Sequence, residues 1–140
     1  MSDELEFRLA NDLAAMAGLA DAVEGFAAEH RLPAETASAL GVSVDEAVSN
    51  AIKHGYPGDA RGEIAVRLRR RPDSVVVEVE DDGTPFDPLQ VPPPDLTLPL
   101  DERPVGGLGI HLMRNLMDEM SYARQGGRNV LKLVKNVATS

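Results

Sequence analysis

Between residues 63 and 80 two short runs place an apolar residue at every second position, and nothing else in the chain constrains its fold as tightly. Ile64, Val66 and Leu68 alternate with charged residues over Glu63 to Arg69, and Val75, Val77 and Val79 continue the pattern over Ser74 to Glu80. Successive side chains of a strand point to opposite faces, so each run offers one face for burial. The intervening Arg70-Arg71-Pro72-Asp73 has the chemistry of a turn, which predicts an antiparallel hairpin with one face covered and the other solvated. The cover must come from segments with helical periodicity. Two are ready: Leu13, Met16, Ala20, Val23 and Ala27 recur at helical spacing, as do Ala37, Leu40, Val44, Ala47, Val48 and Ala51.

The remaining segments complete an α+β pattern. Leu5 to Leu9 reads as a short strand, and Asn11 is placed to cap the helix after it. That helix ends near His30-Arg31, where cations suit a helix C-terminus, and Pro33 opens the next, which stops around Gly55-Tyr56-Pro57-Gly58. Ile110, Met113, Leu116 with Met117, and Met120 mark a third helix. Ser121 to Gln125 and Arg128 to Val134 form a closing hairpin around Gly126-Gly127. The expected fold is a single domain over residues 1–140, a two-layer sandwich with helices on one face of a mostly antiparallel sheet.

A formal net charge of −9 speaks against a nucleic-acid partner, because phosphate backbones demand a basic surface. The basic run Arg67 to Arg71 is read as a solvated strand edge and turn. There is no cysteine, which removes disulfides and thiolate chemistry. The acidic start is unlike a signal peptide, and no run approaches the length of a membrane span, so a soluble cytoplasmic protein is expected. His30 and His111 belong to no ligand pattern, so zinc is not expected.

The residues that carry chemistry fall in three places. Glu46, Asn50 and His54 recur every four residues and share one stripe of the second helix. Asn50 offers a neutral oxygen suited to Mg²⁺, and Glu46, one turn earlier, is placed to take a proton from an attacking hydroxyl or water. His54 either extends the stripe or complements the helix C-terminus. Asp81 ends a strand beside Gly83, where a carboxylate accepts from an exocyclic amine such as that of adenine; an ordinary Asp-Gly turn is the alternative. Gly106-Gly107-Leu108-Gly109 precedes a helix, whose free N–H groups and positive dipole end suit phosphate. It lacks the Lys-Ser/Thr of a P-loop and follows a loop instead of a strand, so it belongs to neither common phosphate motif. Between these places, residues 85–104 hold seven of the ten prolines, which excludes helix or inner strand and suggests a lid.

With the three pieces in order, the chain resembles the GHKL ATPases, and within them the stand-alone serine kinases that act as bacterial anti-sigma factors. Glu46-x-x-x-Asn50-Ala51-x-x-His54 looks like the N box of that family. Asp81-x-Gly83 followed by Pro85-Phe86-Asp87-Pro88 looks like the first glycine box, and Gly106-Gly107-Leu108-Gly109-Ile110 like the second. The resemblance implies ATP as substrate, Asn50 holding Mg²⁺, Glu46 as general base, Asp81 binding the adenine amine and Gly83 admitting the ring. Gly107 and Gly109 wrap the phosphates, and residues 87–106 form the ATP lid. Arg103, the one cation in that lid, either meets the γ-phosphate, which suits arginine, or is a solvated loop charge. The implied function is phosphorylation of a STAS-domain antagonist by a kinase that otherwise holds a sigma factor or other output protein. The rival is a nucleotide-gated binder without kinase activity. The sequence leaves homodimer formation open.

Overall fold

The computed structural model describes residues 3–58, 60–91, 97, 99 and 107–137. Its strands are β1 (Glu4–Ala10), β2 (Glu63–Arg71), β3 (Ser74–Asp81), β4 (Glu119–Gln125) and β5 (Arg128–Asn136). Its helices are α1 (Met16–Glu29), α2 (Ala34–Gly55) and α3 (Gly107–Leu116), with single 3₁₀ turns at Leu13–Ala15 and Pro88–Gln90. The strands form one sheet in the order β1-β2-β3-β5-β4, and every neighbouring pair is antiparallel.

The alternation builds the inner face of this sheet. Val66 pairs with Val79 and Leu68 with Val77, while Val77 and Val79 pair in turn with Leu133 and Leu131. These residues join Leu19, Val23 and Phe26 of α1, Leu40, Val44 and Val48 of α2, and Ile110 and Met113 of α3 in one core. The helices therefore share one layer, as the α+β reading expects. The outer face is charged. Arg67 reaches Glu6 and Glu80, Arg69 reaches Glu4, and Arg128 also reaches Glu80.

Several local expectations are corrected. The basic run does not lie on a strand edge: β2 is an inner strand between β1 and β3, and acidic side chains on both neighbours face its arginines. The first hairpin turns more tightly than expected, because Arg71 still pairs with Ser74, leaving Pro72 and Asp73 as the whole turn. Asn11 caps no helix. Its side chain donates to Ala60 O (2.8 Å) and accepts from Gly62 N (3.1 Å), tying β1 to the approach of β2, while Asp12 caps the 3₁₀ turn through Ala14 N. Met120 lies in β4, opposite Leu133, and not on α3. The helix ends at Leu116, whose carbonyl accepts from Lys135 Nζ at 2.9 Å, and Asp118 N then bonds Val134 O.

Because α3 is short, it depends on few anchors. Met113 is fully buried beneath it. Met113→Ala is expected to cost about 2–5 kcal/mol of global stability, the usual range for truncating a core side chain. Urea unfolding measures that loss, and hydrogen exchange should show α3 opening before the sheet.

Candidate active site

The second helix delivers its polar stripe to the sheet side. Asn50 is 4% exposed and Glu46 partly exposed, so the stripe does not simply face solvent. The Asn50 Nδ2 is buried with no hydrogen-bond partner among the described residues. An unpaired buried amide is costly and calls for a ligand. Amide nitrogen and oxygen are told apart only by their hydrogen bonds, so a rotated amide presents its oxygen to the same space. That suits a cation which takes one protein oxygen and fills its other positions with phosphate and water. Among the described residues no three His, Asp or Glu side chains converge on a metal position.

Asp81 sits at the inward-facing end of β3. It is 5% exposed and aligns with Ile64 on one side and Asn129 on the other. Its Oδ1 accepts from Gly83 N and from Asn129 Nδ2, each at 2.9 Å. Burial raises its carboxyl above the ordinary range, opposed by those two hydrogen bonds and by the Arg124 guanidinium. The Gly83 contact is a local side-chain turn, as the Asp-Gly reading of this position expects.

Asn129 is the residue that motif reading missed. Besides Asp81 it donates to Thr84 O (2.8 Å), and its Oδ1 accepts from Phe86 N (3.3 Å) and from the Tyr122 hydroxyl. One buried amide thus joins β3, β4, β5 and the chain that leaves Asp81. The long-range pairing of β5 with β3 places residue 129 directly across from residue 81, a relation no local pattern in the sequence carries.

Two glycines permit close approaches. A Cβ on Gly83 would lie 2.5 Å from Gly55 O, so Gly83 seats the loop against the end of α2, a closer constraint than the admission of a ring expected for it. A Cβ on Gly109 would lie 2.0 Å from Glu46 Oε2, which places the Glu46 carboxylate against the first turn of α3. Gly107 opens that helix. Its N-terminal turn leaves N–H groups without intrahelical partners and carries a positive dipole end.

Asn50, Asp81, Phe86, Pro88, Met113 and Asn129 line a cavity of about 30 Å³ between α2, α3 and the sheet. His54 stands apart from it, stacked on Phe86 with ring centroids 4.4 Å apart, and its carbonyl accepts from Thr84 Oγ1. Arg103 and most of the 87–106 segment lie outside the described residues; the near end carries the 3₁₀ turn, capped by Asp87 through Leu89 N (2.9 Å). Arg114 of α3 donates to Leu89 O at 2.6 Å.

Residues 9–135 match the model of the histidine kinase-like ATPase domain. The chain belongs to that family. It is 33% identical over 116 residues to the serine/threonine-protein kinase BtrW of Bordetella bronchiseptica, covering 83% of this chain and 82% of the relative. It is 31% identical over 113 residues to the serine-protein kinase RsbW of Listeria monocytogenes, covering 78% and 72%. The fold superposes on a crystal structure of the RsbU and RsbW domains of a Mycobacterium tuberculosis protein with a TM-score of 0.70, over 98% of this chain and 33% of that one. At 18% identity that likeness concerns the fold alone. No described helix is long and apolar enough to cross a membrane.

Because burial raises the Asp81 carboxyl, its negative charge costs stability at neutral pH. That cost fades as pH falls through the folded-state value and is gone below the unfolded value of about 3.9. Asp81→Asn is therefore expected to melt higher than the parent chain at pH 7, with the difference closing toward pH 3.5. Thermal unfolding across that range tests it; a lower melting temperature at pH 7 would show that the two hydrogen bonds outweigh the burial.

Proposed function

We propose that this chain is an ATP-dependent protein serine/threonine kinase of the anti-sigma type, whose substrate is a STAS-domain antagonist and whose other partner is a sigma factor or similar output protein. The observation that carries this reading is the convergence on one small cavity of three buried polar side chains, Asn50, Asp81 and Asn129, beside a helix start held against Glu46. An apolar core alone gives no reason for any of these. The kinase names of relatives at 33% and 31% identity supply the direction of the chemistry.

In this reading Asp81 accepts the adenine amine through the oxygen not occupied by Gly83 and Asn129. The first turn of α3, with Gly107 and Gly109, faces the phosphates with its free N–H groups. Asn50 would hold Mg²⁺ through its amide oxygen, and the ion would supply neutralisation of the phosphate charge. Glu46 takes the proton from the serine or threonine hydroxyl as its oxygen bonds the γ-phosphorus and the bond to the leaving ADP oxygen breaks. Arg103, if the lid carries it inward, adds a planar donor for the γ-phosphate. His54 holds the Phe86 end of the loop by stacking, a supporting task.

A volume near 30 Å³ is that of one water in the liquid, far less than a purine. Nucleotide entry therefore moves a wall, and the Phe86 to Pro88 stretch is the wall built neither from strand nor from α-helix. This agrees with a lid that begins near residue 87.

Glu46→Gln keeps size and hydrogen-bonding reach but removes the base. Transfer to a cognate STAS protein is expected to fall about 10²- to 10⁴-fold with ATP affinity retained. Asn50→Ala is expected to weaken Mg²⁺-ATP binding at least tenfold, about 1.4 kcal/mol, by calorimetry on a folded variant. Equal transfer by parent and Glu46→Gln removes Glu46 as base. Tight ATP-dependent complexes with no transfer by the parent chain point instead to a nucleotide-gated binder.

A further inference from the structure

A concavity far larger than the one beside Asn50 lies on the helix layer. It is a trough of about 670 Å³ along the outer seam of α1 and α2, running from Met16 to Ala28 on one wall. The twelve rises between them, at about 1.5 Å each, make it about 18 Å long, roughly the length of three helical turns. Its depths are apolar, with Leu19, Val23 and Val44 buried in its lining, and its walls are low because Ala20, Ser38 and Gly41 carry little or no side chain. Gly41 is informative by what surrounds it: a Cβ there would meet nothing within 4 Å. Glycine inside a helix costs roughly 0.5–1 kcal/mol relative to alanine, and no packing among the described residues requires it at 41.

Charge identifies the occupant. The ionisable side chains in the lining are Glu24 and Asp45. Helix α1 carries Asp21, Glu24 and Glu29 with no Lys or Arg, and α2 carries Glu35, Asp45 and Glu46 before its first cation at Lys53. A long apolar floor between acidic margins complements an amphipathic helix with Leu-type anchors at i, i+3, i+4 and i+7 and Lys or Arg on its flanks.

We infer that the α1–α2 trough is a docking site for a cationic amphipathic helix of a partner protein. This site rests on the proposed function only in that a partner-switching regulator must hold another protein. It is separate from the nucleotide cavity, since none of Glu46, Asn50 or Asp81 lines it.

The test uses the whole chain and two synthetic 14-residue peptides of identical apolar face, one flanked by lysines and one by glutamates. Amide shifts in NMR spectra report the location, and fluorescence anisotropy the affinity. The lysine peptide is expected to bind with a Kd of roughly tens of micromolar, shifting Ala20, Ser38 and Gly41, and the glutamate peptide at least tenfold more weakly. Gly41→Leu fills open space and should fold, keep its ATP affinity and lose at least tenfold in peptide affinity; Glu24→Lys should lose affinity for the lysine peptide alone. Shifts elsewhere, equal binding of both peptides, or no effect of Gly41→Leu overturn the assignment. So does sedimentation showing that Gly41→Leu splits a dimer, which makes the trough a contact between copies. Peptide binding is read without ATP or phosphate transfer, so an inert trough on an active kinase and a working trough on an inactive one are told apart.

Discussion

The site depends on a carboxylate placed where a sheet ordinarily buries an aliphatic side chain. Across the strands the inward row reads Leu9, Ile64, Asp81, Asn129, Arg124, changing from apolar to charged at residue 81. A buried carboxylate is tolerated only when hydrogen-bonded and electrostatically matched. Asp81 meets that condition through Gly83 N, Asn129 and the more distant Arg124, which itself donates to Gly83 O at 2.8 Å. The loop after β3 is shaped by these demands, because Gly83, Thr84 and Phe86 all lend backbone groups to the same network. A polar cluster satisfied in this way is rigid, which is what the proposed role of Asp81 as acceptor for one particular amine would require.

Helix α2 then sets the distances. Its end is fixed where Gly83 meets Gly55, reinforced by Thr84 N donating to Gly55 O at 2.8 Å. Its middle is fixed where Glu46 meets Gly109. The helix spans the gap between the strand end that carries Asp81 and the glycine-rich start of α3, with Asn50 between the two contacts. Both contacts need the absence of a Cβ, so the glycines of the two boxes act here first on the packing of protein against protein. Their service to a ligand follows from the gap this packing leaves.

The sequence was most legible where one physical rule governed several consecutive residues. Alternation gave β2 and β3, helical spacing gave α1 and α2, and the layered α+β fold followed from pairing the two. It was less legible where a residue satisfied two rules. Met120 fits both the 3.6-residue recurrence of α3 and the inner face of β4, and the ladder with β5 decides in favour of the strand. Asn11 has the chemistry of a cap, yet its amide is taken by Ala60 and Gly62, 49 and 51 residues away, contacts that no local reading contains. Arg67 and Arg69 looked like edge charges because their acidic partners lie on other strands. Asn129 escaped notice because its task exists only once β5 is set beside β3. The glycines and Asn50 stood out as odd choices for their local structure, whereas Asn129 is unremarkable in a hairpin.

Charge is divided between the two layers, and the division separates two demands on one small domain. On the sheet, arginines and glutamates are interleaved and paired. On α1, and on α2 before Lys53, the acids stand without a Lys or Arg in the same stretch of helix, so much of the excess behind the net −9 lies there. Such a surface attracts a cationic partner and repels a nucleoside triphosphate at long range. The repulsion is screened over about 8 Å at physiological ionic strength, whereas in the proposed site the helix start and a cation would act in contact with the phosphates. Nucleotide recognition can therefore be local while partner recognition is carried by the field of a whole helix layer. One acidic chain can serve both because each works at a different range.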